Sequence, residues 1–298
     1  MSTSRDDRLD GYDAVQLSLT CLSGVDRKMV VPTKKLLDVV AGKEDVAFKD
    51  AGIPRDSYIF DLRSSAGTAK VDIDSLKPLP WLTHDGHRVG GVFCELTPPT
   101  VGGEISPRSV ALKQVARLKD TFGLTIKSAL EAEFMIFEKD GRTPFNNVDR
   151  EAYGRVDNMA GKEHCILDAC FSLQKAGLPI ETFLSEFAAG QFEMTFRPQE
   201  GVASADTIML MKEGLRVSLG KYDLIPTFMT IPSDHGHANG FHLNHSLWSD
   251  EGVNEFIDLN DPIQISDTAR HWIAGLIYHA PCIDSSAMPH PELLHSTH

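Results

Sequence analysis

The sequence predicts an α+β chain: a small β-rich N-terminal domain, residues 1–102, followed by a larger domain of mixed strands and helices, residues 103–298. Three observations carry this. Strand patterning dominates the first hundred residues, and helical periodicity is scarce there. A Pro- and Gly-rich stretch, Thr97-Pro98-Pro99-Thr100-Val101-Gly102-Gly103, then interrupts both helix and ladder. Beyond it, helical periods alternate with short apolar or alternating runs.

Taken in order, Ala14 to Leu22 alternates as a strand does. Ser23-Gly24-Val25-Asp26 reads as a turn, and Lys28 to Val31 returns as the second arm of a hairpin. Leu36 to Val40 is a short helical candidate. Ser57 to Leu62, a Ser/Gly-rich loop from Arg63 to Thr68, an extended stretch ending at Pro78-Leu79-Pro80-Trp81 and a strand over Val89 to Leu96 complete the first domain. Ser106-Pro107 opens a helix, with Ser as N-cap and Pro where no N–H is needed. Ala111, Leu112, Val115, Ala116 and Leu118 form its apolar stripe, and Gly123 ends it. Lys127 to Ile136 is a strand. Further helices are expected near Glu163 to Ala176, Ala205 to Lys221 and Pro262 to His279. Strands near Pro179 to Phe187, Gln191 to Arg197 and Phe241 to Leu247 lie among them. No internal repeat is visible.

Composition narrows the function classes. With 42% hydrophobic and 24% charged residues in 298, the chain can bury a sizeable core and is not disordered throughout. Lys and Arg total 29 against 42 Asp and Glu, a formal charge of −13. That argues against a nucleic-acid partner, which requires clustered cations. It fits either plain solubility or carboxylates gathered for a divalent metal. The five cysteines form no C-x-x-C pair, and Cys165 and Cys170 fall in an apolar helical stretch that suits buried free thiols. The start, Met1 to Asp13, is polar, and no apolar run reaches the roughly 18 residues of a membrane span. A cytoplasmic chain with no membrane partner is expected.

Three segments carry chemistry. In Leu130-Glu131-Ala132-Glu133-Phe134, the two glutamates share one strand face, where they repel unless a cation lies between them or one is protonated. In Glu186-Phe187-Ala188-Ala189-Gly190-Gln191-Phe192-Glu193, two carboxylates flank a Gly-Gln turn that can fold them together. In Gly236-His237-Ala238-Asn239-Gly240-Phe241-His242-Leu243-Asn244-His245-Ser246-Leu247, Gly-rich backbone leads into a strand on which His242, Asn244 and Ser246 share a face. Imidazole suits Zn²⁺ better than Mg²⁺ or Mn²⁺. Each segment taken singly also fits an ordinary solvated strand face or hairpin.

Together, in this order and at these separations, they resemble the glutamine synthetase family. Glu131 and Glu133 match its E-x-E strand, and Glu186 and Glu193 its E-x-x-x-G-Q-x-E turn. Gly240-Phe241-His242 with Ser246-Leu247 matches its G-x-H-x-x-x-S-L strand. Pro107-Arg108-Ser109 and the loop Phe60-Asp61 with Ser64-Ser65-Ala66-Gly67 are similar to further family segments. The resemblance implies a β-grasp-like first domain and a glutamine-synthetase-type catalytic domain. It implies Mg²⁺ or Mn²⁺ held by Glu133, Glu186 and Glu193 at one position and by Glu131 and His242 at another. Asn244 and Ser246 would lie by the nucleotide and its phosphates, and His237, Ala238 and Gly240 by the amino-acid substrate. Asp61 would help deprotonate ammonium from across a subunit interface. The implied reaction is ATP-dependent ligation of ammonia, or of a larger amine, to the γ-carboxylate of glutamate through γ-glutamyl phosphate, in a ring-shaped homo-oligomer.

Departures from the pattern point the other way. Asn244 stands where the family has a second His, and Asn cannot carry positive charge to phosphate. His237-Ala238 replaces an Asn-Gly pair, Leu62-Arg63 replaces the Gly after Asp61, and Ser185 stands where many members have His. The sequence stops at His298, near where the family continues into an N-S-Y-K-R segment and an Arg-rich strand. The expectation is therefore a catalytic domain lacking its C-terminal part, with impaired activity. The alternative is a non-catalytic structural member like lengsin, or an incomplete chain.

Overall fold

The computed structural model describes residues 7–20, 26–48, 67–97, 106–146, 153–154, 161–232 and 237–287. The expected turn at Ser23 to Val25, the segment Ser57 to Leu62 with Asp61, the stretch Pro98 to Gly103 and the final residues 288–298 lie outside these. The chain groups into two compact units, Met1–Lys113 with Ser128–Asn244, and Gln114–Lys127 with His245–His298.

A five-stranded sheet opens the first unit. β1 (Ala14–Thr20) and β2 (Asp26–Pro32) form the expected antiparallel hairpin, Ala14 facing Pro32 and Thr20 facing Asp26. The helix α1 (Thr33–Val40) follows, then β3 (Ala47–Phe48), β4 (Gly67–Pro78) and β5 (Val89–Thr97). The strand order is β2-β1-β5-β4-β3, and β1 runs parallel to β5. This is the β-grasp-like arrangement. Val15, Leu17 and Leu19 alternate down β1 and share a core cluster with Leu36 of α1 and Val92 of β5.

A second sheet has β6 (Thr125–Phe137) at its centre, in the order β10-β6-β8-β7, with β9 and β11 also pairing β6. The helix α2 (Pro107–Phe122) precedes it. The remaining elements are α3 (Glu163–Lys175), β7 (Ile180–Ser185), β8 (Gln191–Phe196), β9 (Gln199–Glu200), α4 (Ala203–Gly220), β10 (Ile225–Thr227), β11 (Phe241–Trp248) and α5 (Asp267–Ala287). From Leu130 to Ile136 every second residue of β6 is apolar. Leu130, Ala132, Phe134 and Ile136 are buried in one cluster with Leu173 of α3 and Met211 of α4. The opposite face of the strand is thereby free to carry polar groups. Trp81, from before β5, joins the same cluster. α4 comes so close to it that a Cβ on Gly214 would lie 2.4 Å from Leu173 Cδ2 and 3.0 Å from Trp81.

Polar ties reinforce this packing. Gln16, on the second face of β1, donates its amide to both oxygens of Glu213 on α4 at 3.0 and 3.1 Å, and Lys28 Nζ lies 2.8 Å from the same carboxylate. Arg108, near the start of α2, donates to Asp206 of α4 and to Asp72 of β4 at 2.7–2.9 Å.

Some expectations are corrected. Ser106 does precede α2, with its carbonyl accepting from Val110 N–H, but its buried Oγ makes no hydrogen bond, so the side-chain cap is not formed. The stripe on α2 is only partly covered: Leu112, Val115 and Leu118 are half-buried, and Ala111 and Ala116 are exposed. The last helix starts at Asp267 instead of Pro262. Asp261 accepts the N–H groups of Ile263 and Ile265, Gln264 takes a positive φ of 57°, and Ser266 Oγ caps Ala269 N–H at 3.1 Å. It also continues through Pro281 to Ala287. The short strands β3, β9 and β10 were not expected, since two or three residues leave no readable period. Among the described residues no helix is long and apolar enough to cross a membrane.

Candidate metal and substrate site

Glu131 and Glu133 project from the polar face of β6, because the intervening Ala132 and the following Phe134 are fully buried on the other. Antiparallel pairing with β8 sets Glu133 directly opposite Glu193. In the turn between β7 and β8 Gly190 holds a φ of +70°, and a Cβ there would lie 2.6 Å from the Ile136 carbonyl oxygen. Only glycine fits this turn. Glu186 sits just past β7; its N–H donates to Gln191 O at 2.9 Å, and the residue is 8% exposed.

The carboxylates feel one another. Burial pushes the Glu186 carboxyl above the ordinary glutamate range, and the charges of Glu193 and Glu133 push the same way, against the Phe187 N–H and His242. Glu193 is raised by burial and by Glu131 and Glu133, with His242 opposing.

β11 closes the site from the other side of β6. Gly240 exchanges two bonds with Glu133: its carbonyl accepts from Glu133 N–H at 3.0 Å, and its N–H donates to Glu133 Oε2 at 2.8 Å. A Cβ at Gly240 would meet Glu133 Oε1 at 2.8 Å and His242 Nε2 at 3.0 Å, which explains the glycine. Further along the strand, Asn244 Nδ2 donates to Glu131 Oε1 at 2.7 Å, and His242 Nδ1 lies 3.3 Å from Glu131 Oε2. Ser246 Oγ accepts from Trp248 Nε1 at 2.8 Å. His237 and Ala238 are exposed, and Asp61 is outside the described residues.

The structure sets Glu133 opposite Glu193 and pairs Glu131 with His242 and Asn244, with Gly240 bonded to Glu133 and Glu186 near enough for the charges of Glu193 and Glu133 to push its pKa up. As the side chains stand, no three or more His, Cys, Asp or Glu residues among those described form a group that could hold a metal ion. The donors are engaged in pairs: Glu131 with His242 and Asn244, and Glu133 with backbone and amide N–H groups. The donor chemistry, four carboxylates and one imidazole, nevertheless suits a hard divalent cation.

The sequence assigns no role of their own to two residues here. Gln191, 4% exposed, donates its amide to Glu133 Oε2, the Ala238 carbonyl and Asn239 Oδ1 at 2.9–3.1 Å. Asn239, 7% exposed, donates to the Met229 carbonyl at 2.8 Å. The available signal was an amide among buried phenylalanines, at a position two residues from Glu193 and hence on its face.

The family model for the catalytic domain of glutamine synthetase matches residues 104–292. The chain belongs to the glutamine synthetase family. The glutamine synthetase of Halobacterium salinarum is 26% identical over 286 residues, spanning 94% of this chain and 61% of its own length. Lengsin of Canis lupus familiaris is 27% identical across 79% of this chain and 40% of its own. A gamma-glutamylpolyamine synthetase of Streptomyces coelicolor is 27% identical across 94% and 61%. Among solved structures, a GmaS–ADP complex superposes with a TM-score of 0.77 at 26% identity, over 92% of this chain and 62% of that one. The chain thus spans at most 61% of the length of each of these three relatives. As a member of this family it carries the E-x-E strand and the Gly-Gln turn on adjacent strands of one sheet. Burial pushes Cys94 up to about 12 and Cys170 up to about 11, which keeps both protonated.

Proposed function

We propose that the chain provides the carboxylate-lined metal site of a carboxylate–amine ligase acting on glutamate with ATP. In this reading Glu133, Glu186 and Glu193 would hold one Mg²⁺ or Mn²⁺, and Glu131 with His242 a second. The observation that carries it is the facing of Glu133 and Glu193 across β6 and β8, with Glu186 in the same field. A folded chain pays for gathering like charges, and a divalent cation offsets that repulsion. When bound, the cation would neutralise triphosphate and transferring phosphoryl oxygens. The chain's own part is to hold the oxygens in place: Gly240 N–H fixes one oxygen of Glu133, and the backbone from His237 to Gly240 borders the place assigned to the amino acid.

The boundary at 102/103 belongs to the same reading, supported by the start of the family match at residue 104. So do Ser246 beside the nucleotide, cytoplasmic location, and a ring-shaped homo-oligomer in which Asp61 would serve a neighbouring subunit. Ammonia is the simplest amine. The relative named for polyamine ligation makes a larger one the alternative.

One observation favours a second reading, a lengsin-like member without catalysis. Asn244 spends its amide on Glu131 at 2.7 Å and offers no positive charge to phosphate. Incubation with glutamate, Mg·ATP and hydroxylamine separates the two readings. γ-Glutamyl hydroxamate eliminates the silent member; no product with Mn²⁺ binding retained supports it.

A further inference from the structure

We infer that Gln191 is a positioning residue: its buried carboxamide locks the Glu133 carboxylate and the Ala238-Asn239-Gly240 segment into one unit. The inference rests on Glu133 being a metal ligand, as proposed above. Gln191 lies opposite Met135 in the β6/β8 register and shares a strand face with Glu193, so its side chain extends toward the carboxylates. Its orientation is fixed at both ends. Oε1 accepts the Ala188 N–H at 3.2 Å, while Nε2 faces three acceptors: Glu133 Oε2, the Ala238 carbonyl and Asn239 Oδ1. Turning the amide over would set oxygen against three oxygens and nitrogen against an N–H. It therefore has one usable setting.

The consequence falls on Glu133. Oε2 receives both the Gln191 amide and the Gly240 N–H. The carboxylate plane is thus set by neutral donors, leaving Oε1 as the oxygen to offer a cation. Asn239 extends the lock by donating to the Met229 carbonyl, while its own N–H donates to the Thr230 carbonyl at 2.8 Å. The backbone assigned to the amino-acid substrate and a ligand carboxylate are consequently held by the same side chain, so their geometries change together. Loss of a group that hydrogen-bonds a metal-binding carboxylate commonly lowers metal affinity ten- to a hundredfold.

The test compares the full chain with Gln191→Leu, which removes the amide, and Gln191→Glu, which keeps its shape and sets an oxygen against the three acceptors. Ser204→Ala, which breaks the buried Ser128–Ser204 hydroxyl pair, is the control for general loss of stability. Two quantities are read: Mn²⁺ dissociation constants by calorimetry, and hydrogen exchange of a peptide covering residues 237–242. Both Gln191 variants are expected to bind Mn²⁺ at least tenfold more weakly and to exchange faster in that peptide, while Ser204→Ala changes neither. Mn²⁺ binding within twofold of wild type in both Gln191 variants overturns the proposal. Should the wild-type chain itself bind no Mn²⁺, the metal reading fails on its own account and the exchange data decide. Faster exchange in the Gln191 variants alone sustains the lock, and exchange equal to the control overturns it.

Discussion

Glu133 and Glu193 stand directly opposite each other across the antiparallel pairing of β6 with β8. Side chains so placed have Cβ atoms about 4.5–5.5 Å apart, and like charges there are unfavourable. The strands nevertheless pair without a register shift through this point. Alternation of buried Ala132, Phe134, Phe192 and Met194 on the other face holds the register, so the charges have no way to slip apart.

Glu193→Gln should therefore stabilise the metal-free chain by roughly 0.2–1 kcal/mol, the size of one cross-strand pair. It should also abolish most of the protection given by Mn²⁺, since a ligand raises stability only in proportion to its affinity for the fold. Thermal melts in EDTA and in Mn²⁺ check both halves. A wild-type-sized gain on adding Mn²⁺ to the variant would exclude Glu193 as a ligand.

Gly240→Ala tests the approach of β11. The added Cβ would meet Glu133 Oε1 at 2.8 Å and His242 Nε2 at 3.0 Å, both ends of side chains that can swing away. Gly240 also has no positive φ that an alanine would strain. The fold should lose about 0.5–1.5 kcal/mol, the size of one hydrogen bond at Glu133 disturbed by the move. Mn²⁺ affinity should fall at least about tenfold, because two ligand side chains are displaced. Urea denaturation and calorimetry measure the two effects separately.

How much of this was legible in the sequence depends on the kind of signal. The long elements were: β6, β8, α3 and α4 carry full periods, and Glu131 and Glu133 could be assigned to one face from spacing alone. The joining of Glu186 to Glu193 was readable because Gly190-Gln191 marks a tight turn. The start of α5 was not, since Asp261 holds the next residues in turns through its own side chain, and Pro262 looked like a first helical residue. Gln191 is legible only as part of the turn, because a glutamine advertises neither charge nor period. Its importance arises from three acceptors contributed by Glu133, Ala238 and Asn239, far from it in sequence.

Gly214→Ala should be destabilising although alanine is the better helix former by about 0.8–1.0 kcal/mol. The new methyl would overlap Leu173 Cδ2 at 2.4 Å and crowd Trp81 at 3.0 Å. Overpacking of this kind costs about 1–3 kcal/mol. The net loss measured by urea unfolding should fall between about 0 and 2 kcal/mol, the difference between these terms. A gain in stability would mean that α4 sits farther from Trp81 than it does here.

Acid titration gives a further check at the turn after β6. The Asp140 carboxylate accepts the Thr143 hydroxyl and the N–H groups of Thr143 and Arg142, which lowers its pKa from 3.8 to about 2. A depressed folded-state value means that the contribution to stability is fully present above the unfolded value and is lost as pH falls through the folded one. The difference in urea midpoint between wild type and Asp140→Ala should therefore hold steady from neutrality down to about pH 4 and shrink between 3.8 and about 2. A difference that does not change over that range would show that the turn is held by something other than the ionised carboxylate.

Asn244→Ala bears on the choice between ligase and silent member. Glu131 offers Oε1 to the Asn244 amide at 2.7 Å and Oε2 to His242 at 3.3 Å, so a cation arriving at Glu131 must displace the chain's own donors. An exposed hydrogen bond of this sort contributes about 0.5–1.5 kcal/mol, and 1.4 kcal/mol is a factor of ten in binding. Removing the amide should raise the affinity of a Glu131/His242 cation by about two- to tenfold and leave the Glu133/Glu186/Glu193 position unchanged. Mn²⁺ titration followed by electron paramagnetic resonance distinguishes the two classes of bound ion. If only the class at Glu131 and His242 tightens, Asn244 competes with metal at Glu131. If neither class moves, the bond to Glu131 yields to a cation at no measurable cost, and the case for a silent member loses the observation that favours it.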